Sequence, residues 1–291
     1  MRSIRTQLLA LVYGSVIAVF GILAGMVMIN YRGLVESTAK EEMILITDKY
    51  SEELNDMFST VERACAGMTD YLSLKPDFER LVSDNEYADA FYVDLAIRGS
   101  KSADIVGNVY SVYFRPDPTV YGSESGMLMV NNGYGEYMRS ENTDILDYLE
   151  NDREYVAWYY EPVAAGHAVW LEPYLNRNLN VYMISYVVPV YSNGKLFGVF
   201  GMDIAMSSIL KVIDSVDYGE GFAYLVGKEG DILYHKDYPD GVKEIMLDDD
   251  LGAAVDFLIY KRTGDYSVGR YKYKGKACRL MGADLHNGMK L

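Results

Sequence analysis

Residues 156–176, VAWYYEPVAAGHAVWLEPYLN, carry the side chains of this sequence that are best suited to surround a small molecule. The aromatic ones are Trp158, Tyr159, Tyr160, Trp170 and Tyr174, and they include both tryptophans of the chain. Aromatic faces attract cations, and aromatic rings also fill ordinary cores. The composition of this stretch therefore allows two interpretations, a packed core or the wall of a binding pocket.

Asp203 is the acidic residue whose position is most informative. It lies where the strand-like run 195–204 gives way to the helix-like run 205–216. A carboxylate at such a junction can cap backbone N–H groups of the following helix, bind a ligand, or do both. Both roles stay open at the level of sequence.

The sequence contains no recognisable catalytic or metal-binding motif. His167, His235 and His286 are not paired with other ligands at metal spacing, so solvated or core histidines are expected. The acidic run LDDDL at 247–251 is most simply a solvated loop, with a cation site as the alternative. A nucleophile elbow, a P-loop and a dinucleotide fingerprint are missing, and we predict neither a cofactor nor catalytic residues.

The net charge of −15 argues against nucleic acid as a partner. Residues 1–32 hold three arginines and no acid, which leaves 24 basic against 42 acidic groups in the rest of the chain. A body this acidic repels phosphate backbones and anionic lipid headgroups. Cys65 and Cys278 match no metal or redox spacing, so unpaired and mostly buried thiols are expected, with a disulfide bridge as the alternative.

Residues 7–31 are predicted to form a transmembrane helix. The stretch has no charged residue, and about 20 apolar residues suffice to span a bilayer. It is longer than the core of a cleaved signal peptide, which has roughly 7–15 residues. Arg2 and Arg5 favour a cytoplasmic location for residues 1–6, so the body of the chain is expected outside the membrane.

Residues 32–72 are predicted to form one long stalk helix. Apolar residues recur at steps of three and four, which gives an amphipathic stripe close to a heptad seam. The stripe consists of Met43, Ile44, Ile46, Tyr50, Leu54, Met57, Val61, Ala64, Met68 and Tyr71. It can pack against its own domain, against the same helix of a second chain, or against both. Lys75-Pro76 ends the helix, because the residue before a proline disfavours helical backbone.

Beyond the stalk, short runs of apolar and β-branched residues predict strands. They lie at 90–97, 107–114, 181–191 and 195–204. Asn193-Gly194 lies between the last two runs, and Asn-Gly is the strongest short hairpin signal since both residues tolerate positive φ. The spacing of residues 205–216 predicts a helix after the hairpin.

A smaller unit with the same plan follows. Hairpins are predicted at 222–235, turning at Glu229-Gly230, and at 266–285, turning at Lys274-Gly275. The chain stops at NGMKL, in what looks like the start of one more strand. This ending indicates a fragment of a longer polypeptide.

Several motifs, in this order, resemble the double-Cache sensor domains that bacterial receptors carry outside the membrane. They are WYYEP (158–162), WLEPYLN (170–176), MISYVVPVY (183–191), GKLFGVFGMDI (194–204), GFAYLVGKEGDILYH (221–235) and the closing LHNGMKL. The resemblance extends from the membrane helix to the C-terminus and is most specific between Trp158 and Ile204.

This resemblance implies an α+β fold of two tandem PAS-like modules, each built on an antiparallel sheet, with the second module incomplete. It places a membrane-distal, ligand-binding module at 73–216 and a membrane-proximal module at 217–291. Such receptors usually act as homodimers, and a second transmembrane helix leads to a chemotaxis, histidine-kinase or cyclic-dinucleotide output. The expected dimer forms through the stalk helix.

The amino-acid-binding branch of this family has a signature that the sequence matches in part. Trp158 and Tyr159 match an aromatic pair, and Asp203 matches an aspartate of the final distal strand. The branch has an arginine where this chain has Val156, and an aspartate where it has Asn176. That arginine would hold a ligand carboxylate. Without it, an anion among aromatic faces remains, which suits an amine or another cation.

The resemblance thus implies a ligand site in the distal module. Arg115, in YFRPDP, is the candidate to supply the missing positive charge from another strand. The expected ligand-binding residues are Asp203, Trp158, Tyr159, Tyr174, Asn176, Arg115 and Tyr113. Trp170 and Tyr160 are expected to be structural, because alternation along a strand points neighbours to opposite faces.

The sequence therefore predicts the extracytoplasmic sensor of a membrane-anchored bacterial receptor, which binds an amine, an amino-acid derivative or a similar small ligand. No bond is broken, and any catalytic output domain would lie beyond the C-terminus of this chain. Two alternatives stay open. One is a membrane-tethered hydrolase, for which the sequence shows no acid–base or nucleophile constellation, and the other is a pilin-like structural subunit, which also begins with an apolar helix.

Overall fold

The computed structural model describes residues 4–149, 152–219, 221–239, 241, 247, 249–260 and 267–291. The chain divides into two compact units, Met1–Asp48 and Lys49–Leu291. The helices are α1 (Ile4–Leu74), α2 (Phe78–Ser83), α3 (Asn85–Val106), α4 (Pro118–Tyr121), α5 (Ile145–Leu149), α6 (Ala157–Ala165), α7 (Met206–Asp214) and α8 (Asp249–Tyr260), with a 3₁₀ helix at Arg153–Val156. The strands are β1 (Ser111–Pro116), β2 (Met127–Asn131), β3 (Tyr137–Arg139), β4 (Val169–Trp170), β5 (Tyr174–Asn176), β6 (Val181–Ser192), β7 (Lys195–Ala205), β8 (Leu225–Val226), β9 (Ile232–Tyr234), β10 (Ser267–Tyr273) and β11 (Lys276–Gly282).

The first unit consists of the N-terminal part of α1. Large apolar side chains are exposed along this part, from Ile4 to Tyr31. The portion Leu11–Leu74 includes an 18-residue window that is apolar enough to cross a membrane, and none of that window is buried. Apolar side chains on all faces of a helix are expected to face lipid. The helix therefore contains a candidate membrane span in the region where the sequence predicts one.

The C-terminal part of α1 belongs to the second unit and buries a stripe there. The buried residues are Tyr50, Leu54, Phe58, Val61, Cys65, Met68 and Leu72. Met57, Ala64 and Tyr71, which the sequence placed in the stripe, are only half-buried. Each of them directly precedes a fully buried apolar residue. Because both members of each pair are apolar, hydropathy alone could not show which of the two faces the core.

The segment 90–97 is helical, and its prediction as a strand is wrong. It lies within α3, which Asp84 caps by accepting a hydrogen bond from the backbone N–H of Tyr87, and which ends at Gly107 in the left-handed conformation. The buried residues of α3 recur at helical spacing and are Phe91, Tyr92, Leu95, Ala96, Gly99 and Ala103. A window of eight residues was too short to reveal this longer period.

The main sheet of the second unit has the strand order β3-β2-β1-β7-β6-β4, and β5 also pairs with β6. All of these pairings are antiparallel. The hairpin predicted between the two longest strands is confirmed as β6 and β7, and Asn193 and Gly194 have φ of 50° and 76° in its turn. Helix α7 follows this hairpin as predicted. The α+β class with an antiparallel sheet is therefore confirmed.

The smaller hairpins lie in the C-terminal part of the second unit. β8 pairs with β9, and β10 pairs with β11 through a turn in which Lys274 and Gly275 have positive φ. A hydrophobic cluster around Val226, Ile232 and Val255 joins β8 and β9 to α8. Part of the acidic run 247–251 lies outside the described residues, and the rest leads into α8.

The two cysteines, Cys65 and Cys278, are free, as expected from their spacing. Cys65 is fully buried and Cys278 is half-buried. The alternative of a disulfide bridge is therefore wrong.

Candidate functional site

A cavity lies on one face of the main sheet, and the register of two strands brings its polar residues together. Ser111, Tyr113 and Arg115 alternate along β1, so their side chains share a face. In β7, Asp203 pairs with Ser111 and Gly201 pairs with Tyr113. The side chains of Tyr113, Arg115 and Asp203 all line the cavity.

Gly201 allows the ring of Tyr113 to lie against β7. A Cβ atom at position 201 would be 2.4 Å from the Cζ atom of that ring, which is far inside van der Waals contact. The absence of a side chain at Gly201 therefore permits this position of the Tyr113 ring, which lines the cavity.

Asp203 is 1% exposed and provides the negative charge of the cavity. Its Oδ2 atom accepts a hydrogen bond from the Ser111 hydroxyl, and its Oδ1 atom has no hydrogen-bond partner among the residues that the structure describes. Burial raises the pKa of Asp203 from 3.8 to about 6, and the nearby hydroxyls of Ser111, Ser185 and Tyr113 partly offset this effect. The carboxyl group is therefore largely ionised at neutral pH, at an electrostatic cost that a cation nearby would reduce.

Asp203 does not cap the helix that follows it. Helix α7 begins after Ala205, and no side chain forms a hydrogen bond at its N-cap. The structural role that competed with ligand binding at the level of sequence is therefore excluded.

Aromatic side chains from a helix and a strand form walls of the cavity. Trp158 of α6 is 7% exposed, and its ring meets the edge of the Tyr113 ring at a centroid distance of 5.2 Å. Tyr174 of β5 forms a hydrogen bond of 2.9 Å between its hydroxyl and the Ser185 hydroxyl. Burial raises the pKa of both Tyr113 and Tyr174, so the two phenols are neutral at physiological pH.

Arg115 brings a positive charge to the same cavity. It is 2% exposed, and its guanidinium lies 5.9 Å from the centroid of the Trp158 ring. Its Nε donates to the backbone oxygen of Ser125 at 2.9 Å, and one terminal nitrogen donates to that of Ser123. No carboxylate among the described residues lies within 4.0 Å of it. Burial lowers the pKa of Arg115 to about 10, so it remains charged at neutral pH.

Three buried polar atoms that line this cavity, two of them acceptors and one a hydroxyl, have no hydrogen-bond partner within the described part of the chain. They are the Asp203 Oδ1, the Tyr113 hydroxyl and the Asn142 Oδ1. Buried polar atoms in folded proteins are nearly always hydrogen-bonded, and each exception needs an explanation. Their convergence on one cavity indicates a place for donors from water or from a ligand.

The cavity is small and adjoins a larger cleft. Its volume is about 30 Å³. A single water molecule needs roughly 10–15 Å³ on the same measure, so the cavity has room for about two. The adjoining cleft has a volume of about 290 Å³. The residues that line both spaces are Thr143, Trp158, Tyr174, Asn176 and Asn178. A hydrogen bond of 2.7 Å from Asn178 to Thr143 joins two of these residues.

The structure brings together six of the seven residues predicted to bind a ligand. Asp203, Trp158, Tyr174, Asn176, Arg115 and Tyr113 line the cavity. Tyr159 does not line the cavity, although it belongs to the same hydrophobic cluster as Tyr113 and Trp158, and its hydroxyl has no hydrogen-bond partner among the described residues. Val156, which stands where the amino-acid-binding branch has an arginine, is fully buried.

Trp170 and Tyr160 lie outside the cavity lining, for different reasons. Trp170 is in β4 opposite Tyr186, so it faces the side of the sheet opposite Ser185. There its indole N–H donates to Glu62 of α1 at 2.8 Å. Tyr160 lies in α6, so the strand alternation that was used to place it does not apply.

Sequence reasoning missed five residues of the cavity lining. They are Leu128, Asn142, Thr143, Asn178 and Leu179. Leu128 could have been found, because it pairs with Tyr113 in a neighbouring strand. Asn142, Thr143, Asn178 and Leu179 are in loops that meet only in the folded chain, and local sequence carries no signal of that meeting.

Comparison with known proteins identifies the kind of domain that contains this cavity. Residues 100–211 match the family described as methyl-accepting chemotaxis protein-like, first PDC sensor domain. The methyl-accepting chemotaxis protein PctB of Pseudomonas aeruginosa is 33% identical over 89 residues, which are 30% of this chain and 14% of PctB. The chain thus matches only a small part of the length of this relative.

Solved structures are similar to the chain over most of its length. The ligand-binding domain of the Campylobacter jejuni chemoreceptor Tlp3, in complex with L-valine, has a TM-score of 0.62 and 19% identity and covers 89% of this chain and 92% of its own. The ligand-binding domain of the Pseudomonas aeruginosa amino-acid chemoreceptor PctC, in complex with GABA, has a TM-score of 0.55 and 18% identity and covers 87% and 96%. These matches confirm the sensor-domain fold that the resemblance implied. Residues 100–211 are therefore similar to the first PDC sensor domain of methyl-accepting chemotaxis proteins, and the chain has the fold of the solved chemoreceptor sensory domains.

Proposed function

We propose that this chain is the sensing part of a membrane-anchored receptor and that the cavity on its main sheet binds a small amine or amino-acid derivative. In this proposal residues 1–6 are cytoplasmic, residues 7–31 cross the membrane, and the rest is extracytoplasmic. Residues 73–216 form the membrane-distal, ligand-binding module, and residues 217–291 belong to the proximal module. The ligand is bound without chemical change.

The observation that carries the proposal is a set of three buried polar atoms around one cavity that have no hydrogen-bond partner among the described residues. They are the Asp203 Oδ1, the Tyr113 hydroxyl and the Asn142 Oδ1. A buried polar atom without a hydrogen bond costs about 1–3 kcal/mol, so these atoms need partners from solvent or from a ligand. A ligand that carries N–H donors would remove this cost, and an ammonium group supplies such donors together with a positive charge.

The electrostatics of the cavity favour a cationic group at Asp203. The carboxylate is almost completely buried, and the rings of Tyr113, Trp158 and Tyr174 lie around the same space. A desolvated carboxylate and aromatic faces both stabilise an ammonium ion. The amino acids bound by Tlp3 and PctC carry the same group, which supports this ligand class.

The two faces of the sheet suggest how binding is transmitted. Ser185 and Asp203 face the cavity, whereas Tyr186 lies on the other face, where its ring is 5.0 Å from that of Trp170. Trp170 in turn contacts Phe58 of α1 at a ring distance of 5.1 Å. A ligand that shifts β6 and β7 would therefore change the packing of α1, and this is the route by which we propose that the signal passes.

Dimerisation through α1 stays a prediction. The stripe from Tyr50 to Leu72 is already buried within one chain, so its pattern alone does not require a partner helix.

The test is a melting-temperature screen of the full chain, purified in detergent, with amines, amino acids and carboxylic acids. A ligand that binds only the native state stabilises it by about 2.7 kcal/mol at one hundred times its dissociation constant. We expect an amine or an amino-acid compound to raise the melting temperature of the wild type clearly more than that of Asp203→Asn. The matched control is Asp89→Asn, at an exposed position of α3. A shift that is unchanged in Asp203→Asn, or a screen without any amine hit, would contradict the proposal.

A further inference from the structure

We propose that Arg115 is a second pole of the ligand site and that the cavity selects a zwitterion whose ammonium and carboxylate groups are separated by a flexible chain. The ligand class is an ω-amino acid, in preference to an α-amino acid or a simple amine. This inference rests on the proposed function, because it assumes that Asp203 holds the ammonium group.

The first observation is that Arg115 is a buried charge with no counter-ion. Only 2% of the residue is exposed, and no carboxylate of the described chain lies within 4.0 Å. Buried charges are normally paired, since an unpaired one loses its hydration without compensation. The side chain lines the cavity, so a ligand carboxylate that enters it would provide the missing partner.

The second observation is that Arg115 has hydrogen-bonding capacity to spare. Two of its nitrogens donate to the backbone oxygens of Ser123 and Ser125, and these bonds fix the guanidinium plane. The other terminal nitrogen makes no hydrogen bond to the described residues. A guanidinium that is already oriented loses little entropy when it binds a carboxylate, and such charge-assisted bonds are strong.

The third observation concerns the distance between the two charges. Asp203 pairs with Ser111, and Arg115 is four residues further along the same strand, so their backbone positions are roughly 13 Å apart at 3.3 Å per residue. The turn that binds the guanidinium precedes β2, whose first residue Met127 pairs with Phe114. The turn therefore holds the positive charge at the end of β1 remote from Asp203.

The space between the two poles is lined by rings. Tyr113 lies between Ser111 and Arg115 on the same face of β1, and Trp158 contacts both the Tyr113 ring and the Arg115 guanidinium. Methylene groups pack well on such surfaces. An α-amino acid carries both charged groups on a single carbon atom, which is too close together for two poles at opposite ends of the cavity, whereas a chain of methylenes can separate the charges enough to reach both.

The experiment compares four matched compounds by calorimetric titration of the full chain in detergent. δ-Aminovalerate has both charges at opposite ends of its chain, norvaline is its α-amino isomer, pentylamine lacks the carboxylate, and valerate lacks the amine. We expect δ-aminovalerate to bind about tenfold or more tightly than each of the others, because only it completes both charge pairs.

The variant Arg115→Gln tests the assignment of the second pole. It removes the charge, and we expect the ratio of the affinities for δ-aminovalerate and pentylamine to fall from about ten or more to about one. A purely structural role would weaken both compounds equally, so the ratio of the two affinities separates the roles. The matched control is Arg139→Gln, at an exposed position of β3.

The outcomes distinguish this inference from the proposed function. Equal affinities of the wild type for pentylamine and δ-aminovalerate would overturn the role of Arg115 and leave amine binding at Asp203 intact. Tighter binding of norvaline would overturn the separation of charges. If none of the four compounds binds, the ω-amino-acid class is wrong, and the melting screen decides the proposed function independently. These wild-type comparisons hold even if Arg115→Gln fails to fold.

Discussion

Replacing Asp203 by asparagine is predicted to stabilise the ligand-free protein at neutral pH while it weakens ligand binding at least about tenfold. Burial raises the pKa of Asp203 from 3.8 to about 6. A group whose pKa is higher in the native state adds stability at low pH, and that stability is lost as the pH rises through the native pKa. At about 1.4 kcal/mol per pH unit, the total difference is about 3 kcal/mol.

The pH window follows from the same two values. Between about pH 4.5 and pH 7.5 the native carboxyl group changes from mostly protonated to ionised, whereas the unfolded one is ionised throughout. We therefore expect the wild type to lose about 2 kcal/mol over this window relative to Asp203→Asn, which does not titrate. The groups that face Asp203, namely Ser111, Ser185, Tyr113, Tyr174 and Cys65, stay neutral there, because burial raises the pKa of the two tyrosines and of the thiol.

Chemical denaturation, monitored by tryptophan fluorescence, measures the difference in unfolding free energy between the wild type and Asp203→Asn. Trp158 and Trp170 report on unfolding because both lie on the main sheet or against it. The comparison of wild type with Asp203→Asn at the two pH values cancels the titration of all other groups. Asp89→Asn should behave as the wild type at both. A difference in the free energy of unfolding that does not change with pH would refute the assignment of a buried, ionised carboxylate.

Three further predictions concern the surroundings of the cavity and the contact with α1. Gly201→Ala places a Cβ atom against the Tyr113 ring, so we expect a loss of about 1–3 kcal/mol in unfolding free energy and of the ligand-induced melting shift. Trp170→Phe removes the N–H donor to Glu62, so denaturation should show a loss of about 1–3 kcal/mol, whereas titration should show a much smaller loss of ligand affinity than Asp203→Asn causes, because Trp170 does not line the cavity. Phe58→Ala empties a fully buried position of α1, and denaturation should show a loss of about 3–5 kcal/mol; a loss below 1 kcal/mol would mean that α1 is not packed on the sheet.

The sequence predicted those parts of the fold that local chemistry controls. Asn193-Gly194 forms the predicted hairpin turn, because these two residues adopt positive φ more readily than other pairs do. The long helix was equally clear from its period. The α3 segment was misread because its apolar run is dense enough to fit a strand, and its cap at Asp84 lies outside that run.

The candidate site was predicted more completely than its surroundings. The motifs that resemble a known family located Trp158, Tyr174, Asn176 and Asp203, and the structure places these residues at one cavity. The same resemblance gave no indication that Asn142 would also be there. The side-chain amide of Asn142 donates a hydrogen bond to the backbone oxygen of Glu124, which helps to hold the Asn142 loop at the cavity. These two residues are distant in the sequence, so no local motif indicates their contact.

Tyr159 illustrates a limit of inference from neighbouring positions. It follows Trp158 in the sequence, but in a helix consecutive side chains point in directions about 100° apart. Both residues belong to one hydrophobic cluster, but only Trp158 reaches the cavity lining. Recognising α6 as a helix from sequence would have separated the two residues.

The most direct measurement is a calorimetric titration of wild type and Asp203→Asn, at about pH 7.5, with the amine or amino-acid compound that gives the largest melting shift. We predict binding to the wild type and at least about a tenfold loss of affinity in the variant, since one charge-assisted hydrogen bond contributes about 1.5–3 kcal/mol. Equal affinity of the two proteins would contradict the assignment of Asp203 as the anionic group that holds the ligand.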